Sequence, residues 1–168
     1  MLQSQDFYHY SFLNGCLIGS EHPASLGWPK QVVEHFVAAR GVRALITLTE
    51  EFQSYGVPGL QQHHVPIAGT PTRQEVEPAV ALIREHLSRD ERVWVHCQHG
   101  IDRTGCVIGC YLASAGQPPE RVVTELFERF PERRRHPLYV ELWRPYAELI
   151  RSFWRPPVAT PASRRKPS

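Results

Sequence analysis

The stretch from Val93 to Leu112, VWVHCQHGIDRTGCVIGCYL, constrains this chain more than any other: an apolar strand, a polar loop opened by Cys97, then an apolar-striped helix. A strand that turns tightly into a helix gathers unpaired backbone N–H groups around one point, with the positive end of the helix dipole aimed there. The occupant that such a turn favours is an anion. Cys97 opens the loop and Arg103 closes it, so a thiolate and a guanidinium can face one tetrahedral group from two sides. Converging amides and a nearby cation favour the thiolate, so Cys97 is expected ionised at neutral pH. Gly100 permits the positive φ that a nest of amides needs. Thr104 sits where its hydroxyl can donate to the Cys97 sulfur and make it a better leaving group in a second step.

His96-Cys97-Gln98-His99-Gly100-Ile101-Asp102-Arg103-Thr104-Gly105 resembles the signature loop of the cysteine-dependent protein tyrosine phosphatase superfamily, written His-Cys, five residues, Arg, Ser or Thr. The bland reading is a buried cysteine at a strand end with an unrelated arginine nearby. Over roughly residues 8 to 152 the element order is similar to that of the small atypical dual-specificity phosphatases. The points of likeness are a hairpin around Asn14-Gly15, a helix after Trp28, a strand ending in Thr49-Glu50-Glu51, and helices after the loop. The resemblance implies a nucleophilic Cys97, with Arg103 and the loop from Gln98 through His99, Gly100, Ile101 and Asp102 binding phosphate, and His96 orienting the loop in support. It also implies a shallow cleft open to phosphoserine and phosphothreonine as well as phosphotyrosine, with neither metal nor cofactor.

The pattern breaks at the general acid. In these phosphatases an aspartate on a separate loop protonates the leaving oxygen, but the corresponding place here reads Val65-Pro66-Ile67-Ala68-Gly69-Thr70-Pro71, without a carboxylate. General acid catalysis contributes typically about 10² to 10⁴-fold, so the gap matters. Asp102 is one substitute: it adjoins Arg103, as in the myotubularin and Sac-type phosphoinositide phosphatases, and the charge of a bound dianion would favour its protonated form. Against that, Asp102 can simply bond loop amides or orient an arginine. Glu50 and Glu51 end a neighbouring strand and form a second option, although exposed loop glutamates are usually solvated. His99, if protonated, is a third; otherwise it contributes shape and a hydrogen bond.

The rest of the chain supplies the frame. With 168 residues, 42% of them hydrophobic and 21% charged, it reads as one globular domain over 1–154 and a Pro, Ser, Arg tail over 155–168 expected to be disordered. A net charge of +2 argues for no nucleic-acid partner, and neither a leader-like start nor an 18-residue apolar run is present, so a cytoplasmic protein without a membrane span is expected. Phe12-Leu13 and Cys16-Leu17-Ile18 predict strands about a type I′ turn at Asn14-Gly15. A helix is expected from Trp28 and Pro29 to Gly41, then a strand over Val42 to Thr49 and another over His63 to Ile67. Thr72 to Glu75 is a capping box opening a helix striped by Val76, Ala79, Val80, Ile83 and Leu87. Past the loop, helices are predicted up to Gly116, from Pro118-Pro119 to Pro131, and from Leu138 to Phe153 with Val140, Leu142, Tyr146, Leu149 and Ile150 inward.

Strands alternating with helices make an α/β fold: a central, mainly parallel sheet flanked by helices, with the ligand beyond its carboxyl edge. Cys106 and Cys110, one helical turn apart, read as small core residues; the alternative is a resolving thiol for oxidised Cys97. The basic run Arg133-Arg134-Arg135-His136 reads as solvated surface or as a second anion site. The function expected is hydrolysis of a phosphorylated protein or small phosphorylated molecule through a cysteinyl-phosphate. Its rivals are a phosphoinositide or inositol phosphate phosphatase, an RNA 5′-triphosphatase, a phosphate-binding module with little turnover, and a rhodanese-like sulfurtransferase.

Overall fold

Alternating apolar and helical segments resolve into a five-stranded mixed sheet with helices on both faces. The computed structural model describes residues 7–26, 29–134 and 136–157. The strands are β1 (His9–Phe12), β2 (Leu17–Ser20), β3 (Val42–Thr47), β4 (Gln61–His64) and β5 (Arg92–His96), in the order β1-β2-β5-β3-β4. Only β1 and β2 pair antiparallel; every other pairing is parallel. Such strands are buried on both faces and need apolar side chains on each. Ala44, Leu45, Ile46, Val93, Trp94 and Val95 are accordingly shielded from solvent.

Helix α1 (Pro29–Arg40) covers one face, where Val33 and Phe36 meet Ile18, Leu45 and Trp94. The other face carries α2 (Arg73–Leu87), α3 (Asp102–Ser114), α4 (Pro119–Arg129), α5 (Pro137–Leu142) and α6 (Arg144–Phe153). The capping box at Thr72 forms as the sequence predicts, with Glu75 Oε2 accepting from the Thr72 amide at 2.7 Å. Two glycines let α3 sit deep in this layer. A Cβ on Gly105 would lie 2.8 Å from the Phe130 ring, and one on Gly109 would lie 2.4 Å from Ile150 Cδ1. Among the described residues no helix is long and apolar enough to cross a membrane.

Three expectations need correction. The hairpin is not a two-residue turn: Phe12 pairs with Leu17, so Leu13, Asn14, Gly15 and Cys16 form the connection, with left-handed φ at the first three. Asn14-Gly15 supplies positive φ as expected, but both Phe12 and Leu17 are buried, and that pair sets the register. The strand expected over His63 to Ile67 is β4, ending at His64. Pro66 has no N–H, so the ladder is interrupted; Val65 N still bonds Thr47 O at 3.0 Å and Ile67 N bonds Leu48 O at 3.1 Å. The single last helix is two, parted at Trp143 just before Pro145. Val140 and Leu142, expected inward, are exposed, whereas Trp143 is buried. The tail from 158 lies outside the described residues, as does Trp28. Residues 155–157 follow α6, with Arg155 N reaching Ala113 O at 3.3 Å.

At the carboxyl edge, strand register brings Ser20, His96, Thr47 and His64 into one row. His96 is fully buried there, and Nε2 shares a 3.0 Å hydrogen bond with Thr47 Oγ1. Its Nδ1 is buried with no hydrogen-bond partner among the described residues. Burial, reinforced by His22, pushes the imidazole from its ordinary 6.5 down to about 3.

Two predictions follow from the packing and from this histidine. Trp143→Ala is expected to cost about 3–5 kcal/mol in urea unfolding, and Leu142→Ala no more than about 0.5 kcal/mol. Because folded His96 resists protonation, its contribution is complete above pH 6.5 and is lost as pH falls toward 3. Unfolding free energy should fall by about 1.4 kcal/mol per pH unit from this group in that window, and His96→Gln should remove that share of the slope.

Candidate active site

The loop between β5 and α3 forms because one residue in it has no side chain. Gly100 stands at φ +70°, and a Cβ there would fall 2.3 Å from the carbonyl carbon of Ser20 and 2.4 Å from the amide of Glu21. The loop is thereby pressed onto the end of β2. Three of its carbonyls are engaged on the protein side. Gln98 O accepts from His22 N at 3.1 Å, Gly100 O from the Tyr10 hydroxyl at 2.9 Å, and Ile101 O from Gly105 N at 2.7 Å. Burial pushes the Tyr10 phenol well above its usual range, which keeps it a donor. Among the described residues, the amides of Gln98, His99, Gly100 and Ile101 donate no hydrogen bond. Carbonyls committed and amides spare is the polarity of an anion nest.

Cys97 follows the last residue of β5 and is buried; Gln98 and His99 are exposed, and Asp102 and Arg103 are half-buried on the first turn of α3. Arg103 donates one N–H to Ile67 O at 2.9 Å, which fixes the guanidinium while leaving other donors of its fork uncommitted. The Thr104 hydroxyl is buried with no hydrogen-bond partner among the described residues. Asp102 Oδ1 accepts a short hydrogen bond from the Tyr139 hydroxyl on α5. Burial first, then that bond, push the Tyr139 phenol well above its usual range.

A cleft of about 610 Å³ opens beside the loop, lined by Gln98 and Arg103 on one side and by His22, Thr49, Glu50, Glu51 and Phe52 on the other. Glu50 and Glu51 therefore reach the cleft wall and are exposed on it. A cavity of about 720 Å³ between the hairpin turn and α4 contains none of the signature residues. Among the described residues no group of three or more His, Cys, Asp or Glu is placed to hold a metal ion. Cys106 and Cys110 are fully buried in α3 one turn apart, and burial, with Cys106 beside it, pushes the Cys110 thiol up. The basic run contributes Arg134, whose guanidinium lies 4.6 Å from the centre of the Tyr139 ring.

Sequence reasoning missed Tyr10 and Tyr139. The first sits in an opening segment legible only as aromatic, and the second was submerged in a helix pattern whose apolar face pointed elsewhere.

With this geometry in hand, the relatives are informative. Solved structures share the fold at low identity. PTPMT1 in complex with PI(5)P aligns with TM-score 0.62 and 18% identity, over 86% of this chain and 97% of that one. TpbA of P. aeruginosa gives 0.63 and 15%, over 88% and 91%. Human DUSP28 gives 0.58 and 18%, over 79% and 88%. Residues 27–117, more than half of the chain, match the family described as "Polymorphic toxin system, DSP-PTPase phosphatase". The chain belongs to that family, among the cysteine-based protein tyrosine and dual-specificity phosphatases.

Proposed function

We propose that the chain hydrolyses phosphomonoesters in two steps through a phosphate carried on Cys97. The observation that supports this reading is the polarity of the loop: three of its carbonyls accept from His22, Tyr10 and Gly105, while the four successive amides between Cys97 and Asp102 donate no hydrogen bond among the described residues. A phosphate dianion seated there accepts from the amides and from the free part of the Arg103 fork, which holds its equatorial oxygens. The Cys97 sulfur attacks phosphorus in line, the bond to the leaving oxygen breaks, and that oxygen takes a proton. Water then attacks the phosphorus, the sulfur departs, and inorganic phosphate is released. The unpartnered Thr104 hydroxyl is available to the departing thiolate in this second step.

Asp102 is the general acid in this reading. It lies on the same helical turn as Arg103 and is half-buried, whereas Glu50 and Glu51 are exposed across the cleft. The segment that holds the acid in related enzymes has no carboxylate, and its Ile67 carbonyl is committed to Arg103. Asp102 gives its proton to the leaving oxygen in the first step and recovers one from water in the second.

Phosphorylated protein side chains are the first substrate class, in keeping with the open cleft and the family. A phosphoinositide or inositol phosphate is a second reading, favoured by Asp102 directly before Arg103 and by the fold shared with a structure solved with PI(5)P.

Cys97→Ser should lose about 10⁴-fold or more in turnover of p-nitrophenyl phosphate while still binding vanadate; substantial residual turnover removes Cys97 as nucleophile. Asp102→Asn should cost about 10² to 10⁴-fold on an alkyl phosphate and far less on p-nitrophenyl phosphate, whose leaving group needs no proton. A phosphate-release panel of phosphotyrosine and phosphothreonine peptides, phosphoinositides and inositol phosphates ranks the two substrate classes.

A further inference from the structure

The family's separate acid loop is empty of carboxylate here, and the space around Asp102 is filled from the C-terminal part of the chain. Helix α5 is six residues long and has no fully buried side chain. Leu138 and Leu142 are more than 70% exposed, so hydrophobic burial does not explain the helix. Its inward contacts are made by Tyr139. That ring packs edge-on to Phe127, carries Arg134 on its face, and delivers its hydroxyl to Asp102 Oδ1. The next residue after the helix, Trp143, is buried against Gly105, two residues beyond Arg103. Tyr139 is thus held against the signature helix by its own hydroxyl and by Trp143 at the end of its short helix.

We propose that Tyr139 is a positioning residue for proton transfer, holding the Asp102 carboxyl so that Oδ1 is occupied as an acceptor and Oδ2 carries the proton that goes to the leaving oxygen. The proposal rests on the reading of Asp102 as general acid. A carboxylic acid offers one O–H and one carbonyl-type oxygen, and a phenol that donates to one oxygen places the proton on the other. The balance closes without transfer from Tyr139. In the first step Oδ2–H breaks and the leaving oxygen gains that proton; in the second, water loses a proton to Oδ2 as its oxygen bonds phosphorus. Throughout, the Tyr139 O–H stays intact and Oδ1 keeps accepting from it. Because burial and the bond itself hold the phenol protonated, this arrangement persists across the pH range in which such enzymes work. Fixing an acid within a few tenths of an ångström of its productive position is the part of catalysis that a neighbouring hydroxyl can supply.

The test compares Tyr139→Phe, Asp102→Asn and the double variant on a series of aryl and alkyl phosphates of rising leaving-group pKa, with vanadate affinity and melting temperature measured in parallel. Tyr139→Phe should lose about 10-fold or more on alkyl phosphates and much less on p-nitrophenyl phosphate, with vanadate affinity retained. In the Asp102→Asn background the same substitution should cost little further. If Asp102→Asn slows good and poor leaving groups alike, the acid assignment itself fails. If Asp102→Asn is selective for poor leaving groups and Tyr139→Phe is not, the proposal for Tyr139 fails alone. Loss of vanadate binding or of the folded state in Tyr139→Phe also overturns it, since Tyr139 would then build the loop instead of aiming the acid.

Discussion

The carboxyl end of β5 is crowded against the carboxyl end of β2, and the contact at Gly100 is what the site depends on. Backbone meets backbone there, with Ser20 and Glu21 where a side chain would stand. So close an approach turns the loop's carbonyls toward β2 and the hairpin, where His22 and Tyr10 receive them, and leaves the amides unspent. The antiparallel hairpin on the sheet edge acquires a purpose from this. Tyr10 lies flat over Gly19, at a distance that any Cβ would violate, and reaches from there to Gly100. β1 and β2 act as the mould against which the signature loop is cast.

The second constraint acts from below. Gly105 and Gly109 on α3 admit Phe130, Trp143 and Ile150 into direct contact with the helix backbone. The helix bearing Asp102, Arg103 and Thr104 is therefore wedged between the sheet and the C-terminal helices, and each of those side chains starts from a fixed backbone. His96 adds a third restraint at the strand end through Thr47, and the burial that makes it a tight tie also makes it acid-sensitive.

How much of this was legible in the sequence depends on the range over which each signal acts. The strand, loop and helix of the signature, the capping box at Thr72 and the parallel sheet all follow from local chemistry: periodicity, Gly100, and Cys97 with Arg103 at fixed spacing. The hairpin register was misread because burial of Phe12 and Leu17 outweighs the local preference of Asn14-Gly15 for a two-residue turn. The last helix differs because Pro145 starts a new helix within a continuous apolar pattern, and the break turns Trp143 inward and Leu142 to solvent. Tyr139 and Tyr10 were invisible for another reason. Each meets the loop across 37 and 90 residues of chain, respectively, and no pattern within either segment encodes a partner that far away.

In the proposed mechanism the acid sits inside the signature turn, and that placement has a mechanical consequence. An acid carried on a separate loop must be brought to the leaving group by that loop, and loop movement then enters the rate. Here the segment 65–71 is fastened instead: Val65 and Ile67 donate to β3 and the residue after it, and Ile67 O receives Arg103. It forms a wall of the site and supports the arginine. Asp102 and Arg103 are adjacent on one helical turn, so in the proposed mechanism anion binding and proton delivery share one rigid element. The same proposal limits range: a carboxyl fixed to the first turn of α3 serves only leaving groups that it reaches from there, so substrate shape beyond the phosphate would be selected by the turn that binds it.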